Sequence, residues 1–261
     1  MVRLPSSGRL GLDRAEIYVK MLLNLLEYPP APYERIVVLV GSSEGASKRR
    51  VGRHRWAIML AVWSMQRDGF RMLYEQVPGD KPPFEDVWML TGGNPGYLAR
   101  LYRTGWDASA VVRDIMLERG LEDLVDRLTQ LQLRALEEAI RDPNALVYML
   151  RAAKSEGERR ELESLIYSLA ELNLVFYRMP QRNGHSWIDA PPAERYLSIG
   201  VGRHMAWQTP LHRDAVRRAL NARSKGVLRP HPRDLSPLMH PVLSGNGNAH
   251  NRLRRLRAGE V

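Results

Sequence analysis

The stretch "RIVVLVGSSEGASKRRVGRHRW", residues 35–56, decides which fold the rest of the chain must complete. Ile36 to Val40 is short, mostly β-branched and unalternating, the pattern of a parallel strand buried on both faces. Glycines, serines and a lysine follow, as in loops that wrap phosphates. Such a loop, G-x-x-x-x-G-K-[ST], lays successive backbone N–H groups around the phosphates and adds a lysine and a hydroxyl beyond them. Here Gly41 and Gly45 enclose only three residues, Lys48 comes three positions after the second glycine, and Arg49 stands where the hydroxyl belongs. The spacing does not fit that motif, and the loop needs another role.

A strand buried on both faces also needs neighbours. Only "RWAIMLAVW", residues 55–63, offers a second parallel strand, and periodicity alone does not separate it from a buried helix. Two strands make a poor independent sheet. The N-terminal part therefore reads as the edge of an α/β core whose other strands are supplied from elsewhere.

The remainder reads as helical. Asp13 and Glu16 form a capping-box pattern ahead of Ile17, Met21, Leu22, Leu25 and Leu26, and Pro29-Pro30 ends that first helix. "MQRDGFRMLYEQV" and "FEDVWML" give two more. In "TGGNPGYLARLY", Asn94 and Pro95 make an N-cap and first-turn pair, so Gly92 and Gly93 lie in the turn that delivers the chain into a helix. Asp107 caps the next helix and Gly120 ends it. "LEDLVDRLTQLQLRALEEAI" reads as one long amphipathic helix. Asp142-Pro143 breaks the chain before helices at about 144–153 and 156–172. Asn183-Gly184 then predicts a hairpin between strands near 173–178 and 185–189. Thr209-Pro210 starts a basic helix, and beyond Ser224 the composition is that of a disordered tail.

The chain has 261 residues, 44% of them hydrophobic, enough for a core. Its longest apolar runs fall far short of the ~20 residues that span a bilayer, so a cytoplasmic protein without a membrane partner is expected. Cysteine is absent, which removes disulfides, thiolate metal sites and cysteine nucleophiles. The formal net charge is +10, and lysine occurs only at positions 20, 48, 81, 154 and 225, so the positive charge is carried by arginine. Arginine's planar fork suits bidentate phosphate contacts, and an anionic partner is expected. Seven histidines are scattered; only His204 and His212 lie close in sequence, with no third ligand of suitable spacing, so no metal site is expected. Trp187 and Trp207 read as core anchors. Arg213 and Arg217, four apart on one face of the basic helix, are candidate nucleic-acid contacts. The competing expectation pairs these arginines with acidic residues such as Glu118 or Asp123.

Taken together, "LVGSSEG", "VGRHRWA", "GFRMLYE", "VWMLTGGNPGYLARLY" and "VGRHMAWQTPLHRDAVRRAL" resemble an archaeal family of P-loop ATPases related to AAA+ and to the signal-transduction ATPases with numerous domains. The resemblance covers most of residues 12–222, and the glycine-asparagine-proline motif and "AWQTPLHR" are its most specific parts. It implies that the strand before "GSSEG" is a sensor strand, with Ser42 or Ser43 helping to place the attacking water. It implies that an arginine of the following loop, Arg53 ahead of Arg49, Arg50 and Arg55, reaches a phosphate in the same or a neighbouring subunit. By the same resemblance Gly93 and Pro95 form the lid motif beside the adenine. ATP and magnesium are the cofactors of the intact family.

The departure from the family is as informative as the match. Neither a Walker A loop nor an apolar run ending in Asp-Glu occurs in the sequence. The expected architecture is therefore mainly α with a small β component: the edge of a P-loop α/β core with one or two parallel strands (residues 1–80), a helical lid (81–142), a winged-helix-like module (143–223) and a basic tail (224–261). The expected function is the sensor, lid and winged-helix part of an ATP-binding ATPase, coupling nucleotide state to conformational change and not catalytic alone. Its expected partner is an N-terminal ATPase half or a neighbouring subunit. The alternative is a basic winged-helix protein that binds DNA.

Overall fold

Helix starts are fixed by side chains that accept the free N–H groups of the first turn. In the computed structural model, which describes residues 17, 20–30, 36–39, 41 and 58–226, the Asn94, Asp107 and Thr209 caps fall where the sequence puts them, while the Asp13 and Glu16 pattern lies outside the described residues. Residues 20–27 are helical and stop before Pro29-Pro30. Next come α1 (Arg67–Glu75), α2 (Phe84–Thr91), α3 (Pro95–Arg103) and α4 (Ala108–Glu118). Asn94 accepts from the backbone of Gly96 and Tyr97, and Asp107 from that of Ser109 and Ala110.

The predicted long helix is two. α5 (Leu121–Asp126) ends, and α6 (Gln130–Arg141) starts anew on a capping box. Thr129 takes the Gln132 N–H while the Gln132 side chain takes the Thr129 N–H. The Thr129 hydroxyl also donates to Glu161 at 2.7 Å. α7 (Ala145–Ala152), α8 (Glu156–Glu171) and α9 (Pro210–Ser224) follow the predicted bounds closely.

The strands depart further from expectation. β1 (Val175–Tyr177) pairs antiparallel with β2 (Met205–Trp207), register Val175 to Trp207, and not with residues 185–189. Asn183-Gly184 does turn the chain, but the turn is closed by the Ser186 and Trp187 N–H groups on the Asn183 carbonyl, a tight coil rather than a hairpin. Pro180, Pro191 and Pro192 flank this segment without an N–H to give to a ladder. The segment instead meets residues 61–63 in a parallel bridge, Ala61 to Trp187. Trp63, Phe176 and Trp187 hold it with ring centroids 5.2–6.3 Å apart. The 55–63 stretch is thus extended where it is described, with a partner the sequence did not indicate. Ile36–Leu39, expected as a buried strand, has no regular structure, and Val37 and Leu39 are 83% and 93% exposed. Ile36 and Val38 are half-buried, and among the described residues no sheet lies beside the stretch. The tail beyond Gly226 lies outside the described residues.

One apolar core runs from Phe70 and Trp88 through Leu101, Ile115 and Leu136 to Leu165, Trp207 and Ala219. Residues expected in the lid and in the following module both contribute to it. α9 packs on α4 and α5, while α6, α7 and α8 pack on one another and lead into β1. Trp207, fully buried, donates from its indole to the Ala139 carbonyl at 3.0 Å and anchors the core, while Trp187, 3% exposed, is buried against Trp63 and Phe176. None of the described helices is long and apolar enough to cross a membrane.

Thr129→Ala removes the α6 cap and the contact to Glu161 together. A loss of about 1 kcal/mol is expected from the cap alone, read as a lower urea midpoint with an unchanged slope.

Candidate functional site at two capped helix starts

The two most specific stretches of the sequence meet in space. Gly92 and Gly93 end α2 in the left-handed region, φ 58° and 83°, and both are buried. A side chain at Gly93 would collide with the Met65 carbonyl and the Trp88 ring, and one at Gly92 would press on Pro210 at 3.3 Å. The Met65 N–H donates to the Gly93 carbonyl at 3.1 Å. Pro210 is the first residue of α9, whose Thr209 N-cap accepts from the His212 N–H. The Gly-Gly-Asn-Pro turn and the Thr-Pro start of α9 are therefore in direct contact.

His212 ties them. Its Nε2 lies 3.0 Å from the Tyr97 hydroxyl on α3, and its Nδ1 lies 2.9 Å from the Thr209 hydroxyl. A neutral imidazole has one donor and one acceptor, so either tautomer completes a Tyr97–His212–Thr209 chain. The ring is 2% exposed. Burial, with repulsion from Arg119 and Arg100, lowers its pKa from the ordinary value to about 3. Burial likewise raises the Tyr97 phenol, against the opposing pull of Arg100 and Arg119. A ring so buried and so far from titrating near neutrality is a strut, not a general base. The Tyr97 contact has no local signal, because 115 residues separate the partners.

Around the strut the polar groups are mostly engaged. Arg100 pairs with Glu118 and lies over the Tyr97 ring. Arg119 Nε and Trp88 Nε1 are buried without a hydrogen-bond partner among the described residues. Arg213 gives its guanidinium to the carbonyls of Leu197 and Ser198 at 2.6 and 2.8 Å, and burial lowers its pKa. Arg217 pairs with Asp214, as does Arg218 at 3.2 Å. These arginines thus find their partners on their own helix, in the 197–199 turn and, for Arg218, at the Ser109 hydroxyl of α4, while Glu118 pairs with Arg100.

Ser42, Ser43 and Arg53 lie outside the described residues. Pro95 is exposed at the first position of α3. The free amides of that helix start are already taken by Asn94, and the space beside Gly93 is filled by Met65 and Trp88. No cluster of three or more His, Asp or Glu that could hold a metal occurs among the described residues. His204 and His212 do not share a site: His204 lines a separate cavity. The described residues therefore do not fit a triphosphate or its magnesium.

Residues 6–101 of this mainly helical chain match the family described as an ATPase domain predominantly from Archaea. That match bears out the resemblance read from the sequence, and it ends just past the Gly-Asn-Pro turn. No curated protein and no solved structure matches the chain.

His212 sets a pH dependence. Its pKa is about 3 in the fold against an ordinary value of about 6.5 when unfolded. The neutral-ring stability is complete above pH ~6.5 and is lost as pH falls towards 3. His212→Gln is expected to lower the urea midpoint at pH 7 and to flatten its decline between pH 6.5 and 4, relative to the parent chain.

Proposed function

We propose that the chain is the sensor, lid and C-terminal part of an ATP-binding ATPase, in which the Gly-Asn-Pro turn passes nucleotide state to the C-terminal helix. One observation carries the reading: the family-matched turn at 92–97 is locked to the start of α9 through the Gly92–Pro210 contact and the Tyr97–His212 hydrogen bond. A shift of the turn cannot leave Pro210 and His212 in place, because the packing beside Gly92 and Gly93 has no slack. Three helices followed by an antiparallel strand pair, α6 to β2, support a winged-helix-like module beyond the lid.

In this reading the triphosphate and magnesium are held by residues of a second polypeptide or a neighbouring subunit, and the chain does not hydrolyse ATP alone. Ser42, Ser43 and Arg53 are proposed to face the phosphate, and Pro95 the adenine. The nucleic-acid reading is set behind this one, because Arg213 spends its donors on carbonyls and Arg217 is paired with Asp214.

Purified full-length chain is expected to show no sustained magnesium-dependent ATP hydrolysis. Turnover that disappears in Arg53→Ala, with contaminants excluded, would overturn the proposal. Tyr97→Phe keeps the ring but removes the hydrogen bond to His212. Hydrogen exchange at 209–213 should then speed up together with exchange at 92–97, and acceleration confined to one of the two segments would deny the coupling.

A further inference from the structure

A second feature lies away from the turn, where α7, the first half of α8 and the ends of both strands enclose a cavity of about 530 Å³. This is within the ~300–1,000 Å³ typical of small-molecule sites. Its apolar wall is Val147, Leu150 and Met179, with Tyr177 beside them. Its polar lining is Arg151, Arg159, Arg178 and His204, against a single acid, Glu163.

Three arginines around one carboxylate is an unbalanced set, and the fold does not balance it. Several other described arginines pair with acids, as at Glu85, Glu118, Asp142 and Asp214, and Arg182, Arg213 and Arg223 end on backbone carbonyls. Arg151 and Arg159 are exposed and have no ion pair among the described residues, and Arg178 rests on the Tyr177 ring at 5.1 Å. Arg178 also sits in the left-handed region, φ 54°, a conformation that non-glycine residues seldom adopt. His204 is held in place from behind: its N–H donates to the buried Asn144 side chain at 2.8 Å, and its carbonyl accepts from Met179. Burial and the nearby Arg151 and Arg203 lower its pKa, and its ring stands as a hydrogen-bonding group beside the guanidinium forks.

We propose that this cavity binds a small organic phosphate, its phosphate taken by Arg151, Arg159 and Arg178 and its apolar or aromatic body laid against Val147, Leu150, Met179 and Tyr177. The guanidinium fork matches phosphate oxygens in a way an ammonium does not. A small ligand is favoured over duplex nucleic acid by the site's concavity and by α8 itself. That helix carries Glu156, Glu158, Glu161, Glu163 and Glu171 against Arg159 and Arg160, a balance that repels a phosphate backbone.

The test uses the full chain at low ionic strength, with phenyl phosphate as probe and isothermal titration calorimetry as readout. Phenyl phosphate should bind one to one, and Arg151→Gln and Arg159→Gln should each weaken it about tenfold, or about 1.4 kcal/mol. Arg217→Gln should leave it unchanged. Both cavity arginines are exposed and unpaired among the described residues, so the variants should melt with the parent. Arg159→Lys, which keeps the charge but loses the fork, should still weaken binding. No binding, or equal affinity in all variants, overturns the proposal. Inorganic phosphate binding as well as phenyl phosphate would overturn the organic part of it. Duplex DNA that displaces the probe, with affinity lost in the same two variants, would reassign the cavity to a nucleic-acid backbone.

Discussion

The close approach at Gly92 and Gly93 is the constraint on which the rest depends. Two consecutive left-handed residues turn the chain out of α2, and the absence of Cβ atoms lets the Met65 carbonyl, the Trp88 ring and Pro210 converge on one point. Residues from three distant parts of the sequence are thereby fixed in register. Once Pro210 is placed, α9 must run across α4 and α5, and its buried face of Leu211, Ala215, Val216 and Ala219 closes the core. The small residues on that face permit the helices to lie close.

Polar clamps then hold what the core cannot. The long excursion between β1 and β2 contains little regular structure, and its backbone groups need partners. Arg182 supplies them from inside, donating to the carbonyls of Pro192, Glu194 and Gly202. Asn144 does the same at the far end, where its side chain accepts from His204 and donates to Asp142. Gly202 packs so closely on the Asn144 amide that any side chain there would collide with it. Irregular backbone is ordered here by a few buried donors and not by a ladder.

Local chemistry was legible in the sequence and distant pairing was not. Asn94-Pro95, Asp107 and Thr209-Pro210 announced their helices because a cap acts within four residues. The break before α6 went unread because the apolar stripe from Leu121 to Ile140 runs through it, and only the Thr129–Gln132 reciprocity gives it away. β1 found its partner some thirty residues on, past a plausible Asn-Gly turn, because Met205–Trp207 is the segment buried on both faces. At the candidate site, Gly93 and Pro95 were visible as a motif, as was "AWQTPLHR". What joins them, Tyr97 on His212, needed the fold, since neither residue carries a local signal.

The arginines at 182, 213 and 223 all end on backbone carbonyls: those of the β1–β2 excursion, of Leu197 and Ser198, and of Val125. A part of this chain's basic character is therefore mortar between loops. Such contacts join a charge to a dipole, and partly buried ones escape most of the screening that ions impose on surface pairs. Raising the ionic strength would strip the exposed pairs at Glu85 and Asp214 while leaving the loop framework standing. Lys81 does the same work with an ammonium, donating to the carbonyls of Tyr74, Glu75 and Val77.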